Sequence, residues 1–172
     1  MFRPKVLPKI RLDPGACGRT FSLDALDRKI LAELQADGRL TVTELAARVR
    51  LGLSPCHRRL RELERSGAIR GDRAILDAAT AGLTFEPLVF VTMRQEDRDT
   101  VAAFESALTG IPEVVRAERL CDDPDYLLRV VAADLPAFQR LYDDRLATLP
   151  GVQRLSSTLV MRHVVEERPL PL

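Results

Sequence analysis

The chain has 172 residues, 46% of them hydrophobic and 30% charged, with a net charge of +1. That length holds one large domain or two small ones with a buried core, and the near-neutral charge argues against a general nucleic-acid binder. Cys17, Cys56 and Cys121 give neither a disulfide framework nor a zinc spacing, and no apolar run reaches the ~18 residues that span a bilayer. Pro4, Lys5, Pro8 and Lys9 break up the first ten residues, so no secretory signal is read there. The expected location is the cytoplasm.

The overall charge hides an asymmetry. Residues 1–77 hold 16 Lys+Arg and 10 Asp+Glu, whereas residues 78–172 hold 10 and 15. A basic first half joined to an acidic second half suggests that only the first half meets nucleic acid.

Residues 1–22 form a basic leader rich in Pro and Gly. It reads equally as a disordered tail or as an arm adding phosphate contacts. Residues 23–70 read as three short amphipathic helices. Asp24 is a good N-cap for the first, with Leu26, Ile30, Leu31 and Leu34 repeating behind it. Asp37-Gly38 ends that helix. Thr41 and Glu44 have the spacing of a capping box for the second, Val42 to Arg50.

The third helix is predicted from Leu53 to Ser66, with Gly67 ending it. Leu53, Cys56, Leu60 and Leu63 form its apolar stripe. Ser54, Arg58, Arg61 and Arg65 fall on the opposite face, flanked by His57 and Arg59. A tight second-to-third connection and a row of Arg suit a helix-turn-helix, because the Arg fork matches guanine O6 and N7 together. The DNA-binding candidates are therefore Ser54, His57, Arg58, Arg59, Arg61 and Arg65. The plain alternative is a solvated charged face, diluted by Glu62 and Glu64.

Ala68 to Leu76 is predicted to leave the helical unit as a strand. Residues 71–82 then read as a linker strand and hinge, with the second domain over 83–172. That domain alternates as β-α-β-β-α-β: strands at Leu88–Met93, Glu113–Leu120, Tyr126–Ala132 and Leu155–Val165, and helices through Val101–Leu108 and Leu135–Leu149. The fold class is α+β, a winged-type helix-turn-helix of three helices followed by a ferredoxin-like domain. Two helices cover one face of a four-stranded sheet, yet the first and third strands read as apolar on both sides. The second face is expected to meet the same sheet of another copy.

The stretches "LDALDRKILAELQADGRLTVTELAARV", "LSPCHRRLRELERSGAIRG", "DYLLRV" and "LPGVQRLSSTLVMRHV" resemble the Lrp/AsnC family of transcriptional regulators. They cover residues 23 to about 165 in the family's order and spacing. The resemblance implies a DNA-binding regulator that dimerises through its second domain, with octamers of four dimers in many members. It also implies an amino-acid effector held near the loop before the third strand, and so assigns Asp123, Asp125 and Tyr126 to effector binding. The loop here reads Asp122-Asp123-Pro124-Asp125, where the family commonly has Gly, an acidic residue, an aromatic and Asp. Pro124 lacks an N–H and Asp122 adds a negative charge, which favours an amine-bearing ligand over a neutral aliphatic amino acid.

Nothing in the chain asks for catalysis, a cofactor or a metal. His57 and His163 are far apart, and neither a nucleophile elbow nor a Gly-rich phosphate loop is present. The acidic loop reads as a solvated turn more readily than as a cation site. Two competing functions remain at this level: an architectural DNA-coating protein without an effector, and a ferredoxin-like small-molecule module.

Overall fold

The computed structural model describes residues 22–95, 97–165 and 168–172. The basic leader expected over residues 1–22 lies, except for Ser22, outside the described residues. The chain forms two compact units, with the division falling between Arg73 and Ala74. Among the described residues, no helix is long and apolar enough to cross a membrane.

The first unit holds α1 (Ala25–Ala36), α2 (Val42–Val49) and α3 (Leu53–Ser66). Each start has a chemical cause. The Asp24 carboxylate accepts from the Asp27 N–H at 2.8 Å, and the Asp27 carboxylate accepts from the Asp24 N–H at 3.1 Å. Thr41 and Glu44 close a second reciprocal box on α2. Gly52 starts α3 without a side-chain cap, a loss of only a few tenths of a kcal/mol relative to Ser. Gly67 ends α3 at φ 78, the left-handed region that glycine enters without strain.

Ile30, Leu31, Leu45, Ala46, Val49, Cys56 and Leu63 form the core of this unit. Full burial of each larger aliphatic contributes about 1.5–3 kcal/mol. Leu53 departs from the expected stripe and is 54% exposed. Three residues of α-helix turn it about 60° away from Cys56, off the face that α1 and α2 cover.

The strand expected over residues 68–76 does not form. Residues 70–76 carry no regular secondary structure, and Ile75 and Leu76 are 74% and 78% exposed. The C-terminal residues return to the first unit. Gln35 accepts from the Leu170 N–H at 2.7 Å and donates to the Leu170 carbonyl at 3.3 Å.

The second unit holds β1 (Pro87–Met93), α4 (Arg98–Leu108), β2 (Val114–Arg119), β3 (Tyr126–Val130), α5 (Leu135–Leu141) and β4 (Val152–Leu159). The sheet order is β2-β3-β1-β4, with every neighbouring pair antiparallel. This is the ferredoxin-like arrangement that the element order predicts. Val89, Val91, Met93, Leu128 and Val130 pack with Phe104, Leu108, Phe138, Leu141 and Leu146.

Three details differ from the sequence expectation. The second helix is not one α-helix to Leu149; α5 passes into a π-helical turn, Tyr142–Leu146, closed by the Ala147 N–H on the Tyr142 carbonyl. β4 starts and stops earlier than residues 155–165, because its partner β1 begins at Pro87, opposite Leu159, leaving no ladder beyond. β1 alternates instead of being buried on both sides. Val89 and Val91 are enclosed, while Leu88, Phe90 and Thr92 are half-exposed on the uncovered face.

Gly151 joins the end of the helical layer to β4 at φ 73. A Cβ there would stand 2.3 Å from Thr100 Cγ2 and 2.8 Å from Met93 Cε. Both the backbone conformation and the close approach require glycine.

Candidate nucleic-acid interface and effector loop

α3 separates its residues by angle. Cys56 and Leu63 are buried, whereas Ser54, His57, Arg58, Arg61 and Arg65 are exposed together on the outer side. Arg is suited to such a surface because it reads base edges and neutralises phosphates. The first turn of α3 follows the Arg50-Leu51-Gly52 corner, and Arg50 takes the left-handed conformation that makes this turn tight.

Arg59 does not join that outer face. It lies about 60° from the buried Cys56, on the side facing α1. Its Nη1 is 2.7 Å from Asp24 Oδ2 and 2.8 Å from Asp27 Oδ1. Hydrogen bonding to both carboxylates raises its pKa further, and Asp24 is held below the usual carboxylate range by the Asp27 N–H and by Arg59. The sequence puts Arg59 at the flank of the outer face, whereas in the structure that flank is the one turned toward Asp24 and Asp27 of α1. The missed signal was the Asp24/Asp27 pair, two acids at the start of α1 in need of a cation.

The loop from Cys121 to Asp125 is fastened to the end of β1. The Asp125 N–H donates to the Val91 carbonyl at 2.9 Å, and its carboxylate accepts from the Met93 N–H at 2.6 Å. Tyr126 is buried, its ring 4.7 Å from that of Phe104, and its hydroxyl donates to Glu105 at 2.8 Å. Burial first, and then Glu105, push the phenol up to about 12.

Of the three expected effector residues, only Asp123 keeps an open carboxylate, 64% exposed. It accepts from the Thr92 hydroxyl at 2.9 Å and lies 3.7 Å from the Arg154 guanidinium. Phe90, Pro124 and Ser156 complete a hollow of about 350 Å³ around them. Arg154 is a cation that the loop sequence alone did not reveal; it reaches the site because β4 pairs with β1 in the register Thr92↔Arg154.

A three-helix unit with an exposed Arg face, joined to a ferredoxin-like domain, defines a class of DNA-binding transcriptional regulators. Two family profiles match in succession: winged helix-turn-helix DNA-binding over residues 23–70, and Lrp/AsnC ligand binding domain over residues 87–170. The chain belongs to the Lrp/AsnC family. It is 38% identical to the leucine-responsive regulatory protein of Rhizobium meliloti over 142 residues, 83% of this chain and 91% of that one. It is 36% identical to the Bkd operon transcriptional regulator of Pseudomonas aeruginosa over 150 residues, 87% and 98% of the two chains. A transcriptional regulator from Neisseria meningitidis, solved as its L-Met complex, superposes with a TM-score of 0.81 at 35% identity, over 87% and 97% of the chains. The protein is accordingly a DNA-binding transcriptional regulator of Lrp/AsnC type and not an enzyme.

Proposed function

We propose that the protein binds specific DNA as a dimer through the outer face of α3, and that an amino-bearing small molecule adjusts this binding from the second unit. The observation that carries the DNA reading is the shared exposure of Ser54, His57, Arg58, Arg61 and Arg65 on one face of α3. Arg58 and Arg61 would reach base edges, and Arg65, one turn beyond Arg61, would meet a phosphate. Such a protein works in the cytoplasm on the nucleoid.

The dimer reading rests on the uncovered sheet face. Leu88, Phe90 and Leu127 lie there beside Arg116, Glu118 and Arg129. An apolar centre flanked by charges of both signs suits a two-fold contact, in which each copy offers the other the same patch. Four such dimers would make the octamer.

The effector reading rests on Asp123 and Arg154. A zwitterionic amino acid needs an anion for its ammonium and a cation for its carboxylate, and these two side chains supply both. Arg154 therefore moves the expectation from a purely cationic amine toward an α-amino acid. The relative from Neisseria meningitidis carries L-Met, which accords with that chemistry.

The deciding experiment is a gel shift on the DNA upstream of the protein's own coding region, with and without a panel of amino acids. A discrete complex whose affinity falls steeply with salt supports the regulator. Equal binding to random DNA, unaffected by any ligand, would favour an architectural DNA-coating protein.

A further inference from the structure

Arg59 lies on the recognition helix but is directed away from its outer face. Its partners are the two halves of the α1 capping box, so one guanidinium nitrogen closes on both carboxylates that start that helix. Asp27 is the one charged side chain buried among the described residues, 5% exposed. A buried carboxylate is costly without a well-placed cation, and the geometry of such a pair is correspondingly exacting. α1 and α3 also touch least of the three helix pairs in this unit. Beside the apolar core that Ile30 and Leu31 share with Cys56 and Leu63, this is the polar contact that ties α3 to the start of α1.

We propose that Arg59 is a positioning residue. Clamped to Asp24 and Asp27, it sets the angle at which α3 offers Arg58 and Arg61 to base edges, without itself touching DNA. Base readout tolerates little misplacement, because a bidentate Arg–guanine contact needs both hydrogen bonds at once. Phosphate contacts are less demanding, because they depend mainly on charge near the backbone. Loss of the clamp therefore degrades discrimination between sequences more than it degrades general DNA affinity. This inference rests on α3 being the DNA-facing helix, and the experiment separates the two.

The test uses the full chain, a duplex that the protein enriches from a randomised pool, and a scrambled duplex. Affinities are measured by fluorescence anisotropy over a range of salt. Arg59→Ala is expected to weaken binding to the enriched duplex tenfold or more and to leave the scrambled duplex within twofold. The slope of log affinity against log salt on the scrambled duplex should match the parent. Arg59→Lys keeps a point charge and should recover part of the discrimination. Asp24→Asn keeps the N-cap but removes its charge, and should shift discrimination the same way to a smaller extent.

A slope reduced by about one on Arg59→Ala would mean a direct phosphate contact and would overturn the proposal. Equal weakening on both duplexes with an unchanged slope would reduce Arg59 to a folding contact, and parent-like binding would remove it altogether. If circular dichroism shows that Arg59→Ala does not fold, Arg59→Lys and Asp24→Asn decide by the same ratio. If Arg58→Ala and Arg61→Ala bind like the parent, or no duplex is enriched, it is the DNA-facing reading of α3 that fails.

Discussion

Tyr126 donates its hydroxyl hydrogen to Glu105 at 2.8 Å, across the layer between β3 and α4. The aromatic that the resemblance assigns to the effector loop therefore belongs to the core. Tyr126→Phe should leave ligand binding unchanged and cost about 1 kcal/mol, the usual net worth of one hydrogen bond. Chemical denaturation gives the second quantity and calorimetry the first. A complete loss of ligand binding in Tyr126→Phe would return this hydroxyl to the effector site.

The same contact fixes a pH dependence. The folded phenol is pushed up to about 12 from an ordinary value of 10.0. The folded state thus holds its proton more tightly than the unfolded chain. This contribution to stability is fully present below pH 10 and is lost as pH rises toward 12. Denaturation midpoints from pH 9 to 12 should fall more steeply for the parent than for Tyr126→Phe.

On the outer face of α3, Arg58→Ala and Arg61→Ala should each cost roughly 1–3 kcal/mol in specific DNA binding and relax preference at one base position. Binding of each variant to a set of single-base operator changes is the measurement. Neither change should alter thermal stability much, since both side chains are exposed. Unchanged specificity in both variants would move base reading off this face.

Phe90 stands at the centre of the uncovered sheet face, opposite Leu127 of β3 and Ser156 of β4. Phe90→Asp should give a folded monomer, because a charge at the middle of a two-fold contact meets its own copy. Sedimentation at micromolar concentration reads this directly. A parent that sediments as a monomer, or a Phe90→Asp variant that remains dimeric, would place the interface elsewhere.

Much of this architecture was legible because local signals agreed with the tertiary outcome. Asp24, the Thr41/Glu44 pair and Gly67 each satisfy backbone groups at the helix ends where the sequence places them. The order β-α-β-β-α-β followed from periodicity alone. What periodicity cannot give is the partner. Residues 68–76 have the composition of a strand but join no sheet among the described residues, and β4 ends at Leu159, opposite Pro87 where β1 begins. The direction of Arg59 and the structural use of Asp125 depend on residues far away in sequence, and no local pattern encodes them.

The effector loop yields the last prediction. Asp123 and Asp125 look equivalent in sequence, yet the Asp125 carboxylate is used by the Met93 N–H while Asp123 stays open beside Arg154. Asp125→Ala should therefore act on stability. It orphans the Met93 N–H, at a cost of about 1–3 kcal/mol, and loosens the loop from β1. Asp123→Asn should act on binding instead, removing the ammonium partner while the fold stays intact. Arg154→Gln should weaken amino acids and spare simple amines, because only the former bring a carboxylate. Titration calorimetry with methionine, leucine and a diamine against the three variants distinguishes these roles. If Asp123→Asn and Arg154→Gln both bind an amino acid as tightly as the parent, the effector is held away from this hollow.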